Sequence, residues 1–377
     1  MNSNGKNNKR ILLVVVATLL ALLGPAIAWG LSAKLLPEGV ARLRVYENVG
    51  STDGWFSDSS DRQPLGQLGL DKLKAKGIAP STTNVYNIGN SARYRLWRTD
   101  VTLDYGLNAD WDVGVWLPFY NHTTRQSATL TQGAAWSALT AAQKASISGA
   151  VSTLDSTDPT NSDFGDVFVG FKHRVFGLNN DPFRFALGGG FRAPTGHVAN
   201  PLDANDVATG DGQWDVTLAT WTDFQVNDRF FINFLSRHDY GLADYRDAVF
   251  PTNASQAGRM RFQPGITHHL EWAPQYQFPF EKWDLLSEIT LIYDRQEKEK
   301  RQSFDTAAAR YSGPLAATNA TDWDRWMIKP SLGARLFKYG VPGDFYLSYA
   351  HTMAGKNTAD LDLLEMRMDI YFKGLDQ

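Results

Sequence analysis

VTLDYGLNADWDVGVWLPFY, residues 101–120, reads as two strands joined by a turn. Val101, Leu103 and Tyr105 alternate with Thr102 and Asp104. Beyond GLNAD, Trp111, Val113, Val115, Leu117 and Phe119 alternate with Asp112, Gly114, Trp116 and Pro118. Successive side chains of a strand point to opposite faces, so one face of this hairpin is uniformly apolar and the other carries carboxylates. In a soluble sheet the apolar face would turn inward to a core. The rest of the chain shows what it turns to here.

Period-2 patterning predicts further strands near 39–48, 93–107, 110–126, 165–176, 183–195, 213–226, 229–241, 260–278, 283–300, 324–338, 345–353 and 361–373, about twelve in all. The connections are of two kinds. GLNAD, GLNNDP, QVND, FPFEK and YGVPGD are short and rich in Gly, Asn, Asp and Pro. Segments 49–92, 127–164, 196–212, 242–259 and 301–323 are long, with a shorter one at 354–360. Short and long alternate strictly. Bacterial outer-membrane barrels have this asymmetry, with short periplasmic turns, long extracellular loops and an even strand number. A soluble sandwich has no reason to keep it. We expect an all-β fold, an antiparallel transmembrane β-barrel of about twelve strands with both ends periplasmic.

The side-chain faces agree. Leu364, Met366, Met368, Ile370 and Phe372 alternate with Glu365, Arg367, Asp369, Tyr371 and Lys373. Charges recurring on one face of strand after strand suit a wet lumen and are costly in a packed core. Lipid requires the opposite, apolar face. The residues expected to line the lumen are Arg98, Asp100, Asp104, Lys172, Arg184, Arg192, Asp215, Asp223, Arg229, Arg237, Asp239, Glu288, Asp294, Lys329, Arg335, Glu365, Arg367 and Asp369. Both signs are present in similar numbers, which argues against a strongly ion-selective pore. Aromatic residues gather near strand ends, among them Trp97, Trp111, Trp214, Trp272, Trp283 and Trp326, as in interfacial girdles.

The first 28 residues have the order of a secretory signal peptide. Lys6, Lys9 and Arg10 precede the apolar run ILLVVVATLLALL, and Ala26 and Ala28 stand at −3 and −1 of an A-x-A cleavage site. The barrel is then expected over 29–377. After residue 28 no apolar run approaches the ~20 residues of a membrane helix. Cysteine is absent, which excludes disulfides and thiolate metal sites. A net charge of −3 gives no reason to expect a nucleic-acid partner. Outer-membrane lipid and small solutes are the partners expected, in a Gram-negative bacterium.

YGLNADWDVGVWLPFY, FGDVFVGFKHRVF, FRAPTGH and GDGQWDVTLATWTDFQVNDRFFINFLSRHDYG occur in that order over residues 101–241. Together they resemble the outer-membrane proteins grouped under the meta-pathway of phenol degradation, a set of transporter-like barrels. The resemblance implies a barrel, and transport of hydrophobic or aromatic compounds. One departure is that Phe372 stands five residues short of the terminus, where outer-membrane barrels usually end on an aromatic residue.

No catalytic constellation is expected. Seven histidines are scattered over different strands and loops. Ser236 and His238 share a strand face, but i and i+2 on a strand coincide often by chance, and His268-His269 lacks a third ligand at diagnostic spacing. The acidic loops with Asp203, Asn205, Asp206 and Asp211, and with Asp155, Asp158, Asp163 and Asp166, read first as solvated turns and second as Ca²⁺ ligands. In 127–164, Thr140 and Gln143 form a capping box ahead of an Ala-rich run. Trp136, Leu139, Ile147, Val151 and Leu154 can share a helical stripe. The stripe could line the pore mouth, lie on neighbouring loops or rest on lipid, and we expect it to narrow the pore.

The sequence thus reads as an outer-membrane, porin-like channel for passive passage of small solutes, without cofactor or metal and not an enzyme. The alternative is a barrel that sheaths a partner protein, such as an electron-transfer cytochrome.

Overall fold

The computed structural model describes residues 32–373, apart from 76–77, 83, 153, 155–159, 203–207, 281–283 and 320. The signal-peptide expectation lies outside these residues. Twelve long strands pair in sequence order. They are β1 (Val40–Phe56), β2 (Tyr86–Asn108), β3 (Trp111–Gln132), β4 (Val167–Phe176), β5 (Phe183–Ala193), β6 (Asp215–Gln225), β7 (Phe230–Gly241), β8 (Thr267–Gln277), β9 (Leu285–Gln296), β10 (Trp323–Arg335), β11 (Gly343–Lys356) and β12 (Thr358–Lys373). Each is antiparallel to the next, and β1 also pairs with β12, from Val40 opposite Lys373 to Phe56 opposite Thr358. The sheet is therefore a closed barrel with no free edge, the only β-architecture that satisfies every backbone group in lipid.

The hairpin that opens the sequence reading is β2–β3, paired from Tyr86–Gln132 down to Asn108–Trp111. Its face assignment follows from exposure. Asp100, Asp104 and Asp112 are buried, whereas Trp97, Tyr105, Trp111 and Phe119 are exposed. The same inversion holds around the barrel: Leu364, Met366, Met368 and Phe372 are exposed and Asp369 is buried. Among the described residues no helix is long and apolar enough to cross a membrane. The apolar belt belongs to the strands.

Several loops are more structured than the sequence suggests. Residues 242–259 and 301–323, expected as loops, contain strands Asp244–Phe250, Asn253–Gln263, Lys300–Asp305 and Arg310–Ala317, which form a separate four-stranded sheet. The expected strand 260–278 is two strands, divided at Pro264-Gly265-Ile266. Proline has no N–H for the ladder, and Gly265 packs against the Glu297 carbonyl where a Cβ would not fit. The expected loop 354–360 is a tight hairpin turned at Asn357, whose φ of 50° lies in the left-handed region that asparagine tolerates.

The other two long loops make a small apolar core. Helix α1 (Gln67–Ala75), which the sequence reading missed, meets helix α2 (Ala141–Ser152) on the extended part of β2–β3. Leu73, Tyr86, Ile88, Ile147, Ala150 and Leu154 are buried together, with Trp136, Leu139 and Val151 packed against them. The expected capping box is formed: Gln143 N–H donates to Thr140 Oγ1 at 3.2 Å, and Thr140 N–H to Gln143 Oε1 at 2.9 Å. Tyr86 and Ile88 share a strand face with Asp100 and Asp104 lower down. The helix pair thus stands on the axis side of the hairpin, at the end of the barrel opposite the short turns.

Candidate functional site

The interior face of the barrel is a network of ion pairs. Arg42 meets Asp104 at 2.7 Å, Arg44 meets Asp369 at 2.8 Å and Arg184 meets Asp223 at 3.0 Å, near the short-turn end. Further along the axis Arg98 pairs with Asp100 at 2.8 Å, Arg192 with Asp215 at 2.8 Å, Arg237 with Asp239 at 3.2 Å and Arg325 with Asp294 at 2.7 Å. His269 bridges Glu271 and Asp294, each at 2.5 Å. Lys329 lies 3.6 Å from Glu365, and Arg367 lies 3.5 Å from Asp369 and over the Tyr346 ring at 3.6 Å. Glu288 accepts from Thr290 at 3.1 Å. Opposite charges in close, hydrogen-bonded pairs are what makes so polar an interior tolerable.

The structure places most of the side chains expected to line the lumen on the interior side of the wall, in pairs with neighbouring strands. Arg229 is not among them: it sits exposed in the turn before β7, beyond the enclosed part of the strand. Arg42, Arg44, Glu271 and Arg325 were missed. The signal for the first two was present in ARLRVYE, where Arg42 and Arg44 alternate with Leu43 and Val45.

The larger omission is what fills the base of the lumen. Residues 32–37, just before β1, lie inside the barrel. Ser32 O–H donates to Asp223 at 2.6 Å and Ala33 N–H to the same carboxylate at 2.8 Å. Leu36 N–H donates to both oxygens of Asp112, at 3.0 and 3.1 Å. Leu35 exchanges two hydrogen bonds with the Asn179 side chain, at 3.3 and 3.0 Å. The Lys172 ammonium donates to the carbonyls of Ser32 and of Lys34, the latter at 3.0 Å. Ala33 also packs on Ala186, Ala219, Trp221 and Leu235.

Trp221 is completely buried, and the glycine run of β5 makes room for it. A Cβ at Gly188 would stand 2.8 Å from the indole. Hydrogen bonds to charged groups contribute roughly 1.5–3 kcal/mol each, so the segment is a firmly seated plug. It is non-covalent, and every partner has a polar alternative in water. Beside it remains a cavity of about 290 Å³ lined by Lys34, Leu36, Arg335, Tyr346 and Arg367 among others.

Farther from the plug the β2–β3 wall turns aromatic. The Arg98 guanidinium lies 5.1 Å from the Trp116 ring and 5.3 Å from the Tyr120 ring, and His122 stacks on Tyr120 at 5.3 Å. At the rim above, the Pro194-Thr195-Gly196 turn is tied down by Asp166, which accepts from Gly196 N–H at 2.8 Å and Asp211 N–H at 3.1 Å. Burial pushes the Asp211 carboxyl up from its ordinary range, and neighbouring Asp166 adds to this against the N–H that Gln213 donates to it. Asp155, Asp158, Asp203, Asn205 and Asp206 lie outside the described residues. Among the described residues no cluster of three or more His, Asp or Glu could hold a metal ion.

A closed barrel with an apolar outer belt, paired charges within and one-sided long loops is an outer-membrane β-barrel. Residues 99–322, more than half of the chain, match the family described as putative MetA-pathway of phenol degradation, and the chain belongs to that family. No curated protein matches it by sequence. Among solved structures it is similar to an outer-membrane channel from Pseudomonas putida F1, at 13% identity over 92% of this chain and 100% of the other, with a TM-score of 0.56. It is more distantly similar to the CymD monoaromatic hydrocarbon channel, at 10% identity, 91% and 90% coverage and a TM-score of 0.34. The transport unit of the Escherichia coli autotransporter AIDA-I matches at 7% identity, 95% and 97% coverage and a TM-score of 0.40. At such identities the likeness is one of fold.

Proposed function

We infer that the chain is an outer-membrane channel for passive passage of small solutes, with residues 32–37 as the stopper of its periplasmic end. The observation that carries this reading is the plug itself. A short segment that occupies the base of the interior, held only through reversible hydrogen bonds to Asp112, Asn179, Lys172 and Asp223, is suited to move aside. A purely structural barrel would have its interior filled by its own wall. The expected lumen residues other than Arg229 would then line the path, and solutes would pass when the plug swings toward the periplasm. Any solute that promotes opening must bind the open form better than the closed one.

Hydrophobic or aromatic compounds are the solutes this reading favours. The family description supports them, and so does the wall of Trp116, Tyr120 and His122 around Arg98, which offers ring faces and a cation to an aromatic solute. The helix pair over the mouth would narrow the entrance, and deletion of 136–154 is then expected to raise uptake. A sheath around a partner protein finds no support in an interior whose base is already occupied by residues 32–37. Planar-bilayer recordings decide the main reading. The barrel lacking residues 32–36 should conduct more than the full-length barrel, and equal conductance would overturn it.

A further inference from the structure

The outer face of the barrel carries a hydrogen-bonded chain that the channel reading does not use. Ser236 and His238 point outward from β7, on the face of Phe234 and Tyr240. Ser236 Oγ lies 3.0 Å from His238 Nε2. His238 Nδ1 lies 2.8 Å from Nδ1 of His268, its cross-strand neighbour on β8. His268 Nε2 lies 3.4 Å from Glu297 Oε1 at the end of β9. From sequence, Ser236 and His238 are a chance pair. The tertiary structure adds a third and a fourth member, from two other strands.

One set of tautomers satisfies the whole chain. His238 Nε2 accepts the serine proton, His238 Nδ1–H donates to His268 Nδ1, and His268 Nε2–H donates to Glu297. The base is thereby held by a third group in the tautomer that leaves its lone pair on the hydroxyl, which is the arrangement that activates a serine nucleophile. His238, His268 and Glu297 lie toward the long-loop end of the barrel, and Ser236 at mid-strand, all on the outward face. Thr220 stands opposite Ser236 on β6 and Arg295 opposite His268 on β9, so polar side chains flank both ends of the chain.

We propose that Ser236, His238, His268 and Glu297 form a serine esterase centre on the lipid-facing surface, acting on acyl esters of membrane lipids. Ser236 Oγ attacks the ester carbonyl carbon while its proton passes to His238 Nε2. The alkoxy C–O bond then breaks, and the departing oxygen takes that proton, leaving an acyl-Ser236. Water attacks the acyl carbon, giving its proton to His238 Nε2. The fatty acid leaves as Ser236 regains its proton. The net reaction consumes one ester and one water and yields one acid and one alcohol. His268 is a positioning residue that steadies the charged imidazole.

The test is a fluorophosphonate probe on the purified, detergent-folded barrel, followed by fatty-acid release from phosphatidylethanolamine vesicles. Labelling should map to Ser236, disappear in Ser236→Ala and fall by ~10²-fold or more in His238→Ala. His268→Ala should slow the reaction and shift its pH profile, with His268→Gln restoring part of the rate. Heat-modifiable gel mobility confirms that each variant is folded. A folded wild type that takes no label, or a Ser236→Ala barrel that labels and hydrolyses equally, overturns the proposal. Neither outcome touches the channel reading, because conductance is independent of this face.

Discussion

At the base of the lumen Asp112 and Asp223 hold backbone N–H groups of residues 33–36, and Arg44, Arg184 and Lys172 are buried among carboxylates and carbonyls. At the opposite end Leu73, Ile88, Ile147 and Leu154 bury one another beneath two short helices. Both regions bury the side chains they are built from, yet they are built from opposite materials. The lower one lies inside a wall whose apolar side chains already face lipid, so only the polar face of each strand is left to build with, and it must be satisfied pair by pair. The upper one rises beyond the membrane, where water surrounds the hairpin and the ordinary hydrophobic effect returns. One pair of strands, β2 and β3, serves both.

Perturbing each region should therefore give a different kind of failure. The largest effect is expected from removing residues 32–36, which should multiply single-channel conductance several-fold while leaving the folded barrel intact on a gel. An unchanged conductance would mean that the polar base is a permanent floor. Next, Asp369→Ala removes the buried carboxylate that Arg44 meets at 2.8 Å and should cost about 3–5 kcal/mol, measured by urea unfolding in lipid vesicles. A cost below about 1 kcal/mol would show the ion-pair interior to be hydrated and loose, as an exposed pair would be.

Leu73→Ala should cost the upper region about 2–5 kcal/mol and speed proteolysis in 49–92 and 127–164, with the barrel's own unfolding unmoved. A matching loss in barrel stability would mean that the two cores are coupled. The smallest change is Thr140→Ala. Loss of its capping bonds should cost about 1 kcal/mol and show as faster amide exchange in α2 alone.

How far the sequence reaches differs between these regions. The barrel strands were legible because period 2 is a local signal, and the alternation of short and long connections set their direction. The lumen residues followed from parity; Arg229 failed only because parity continues into a turn after the wall has ended. The four-stranded sheet was hidden because 242–263 and 300–317 are polar and mixed, and each hairpin is stabilised by the other. Helix α1 was hidden because QLGLDKLKA is too short to declare itself without the α2 stripe it packs against.

By itself, then, the sequence determined the strand number, the inside-out polarity of VTLDYGLNADWDVGVWLPFY and the sidedness of the loops, because each depends on neighbours a few residues apart. Only the tertiary structure decided that SAKLLP at 32–37 turns back into the barrel, that α1 and α2 share one core and that Ser236 and His238 continue through His268 to Glu297. Those contacts join residues up to about 190 positions apart. Their partners are single hydrogen-bonding groups that leave no periodic trace, so they exist only once the barrel has closed.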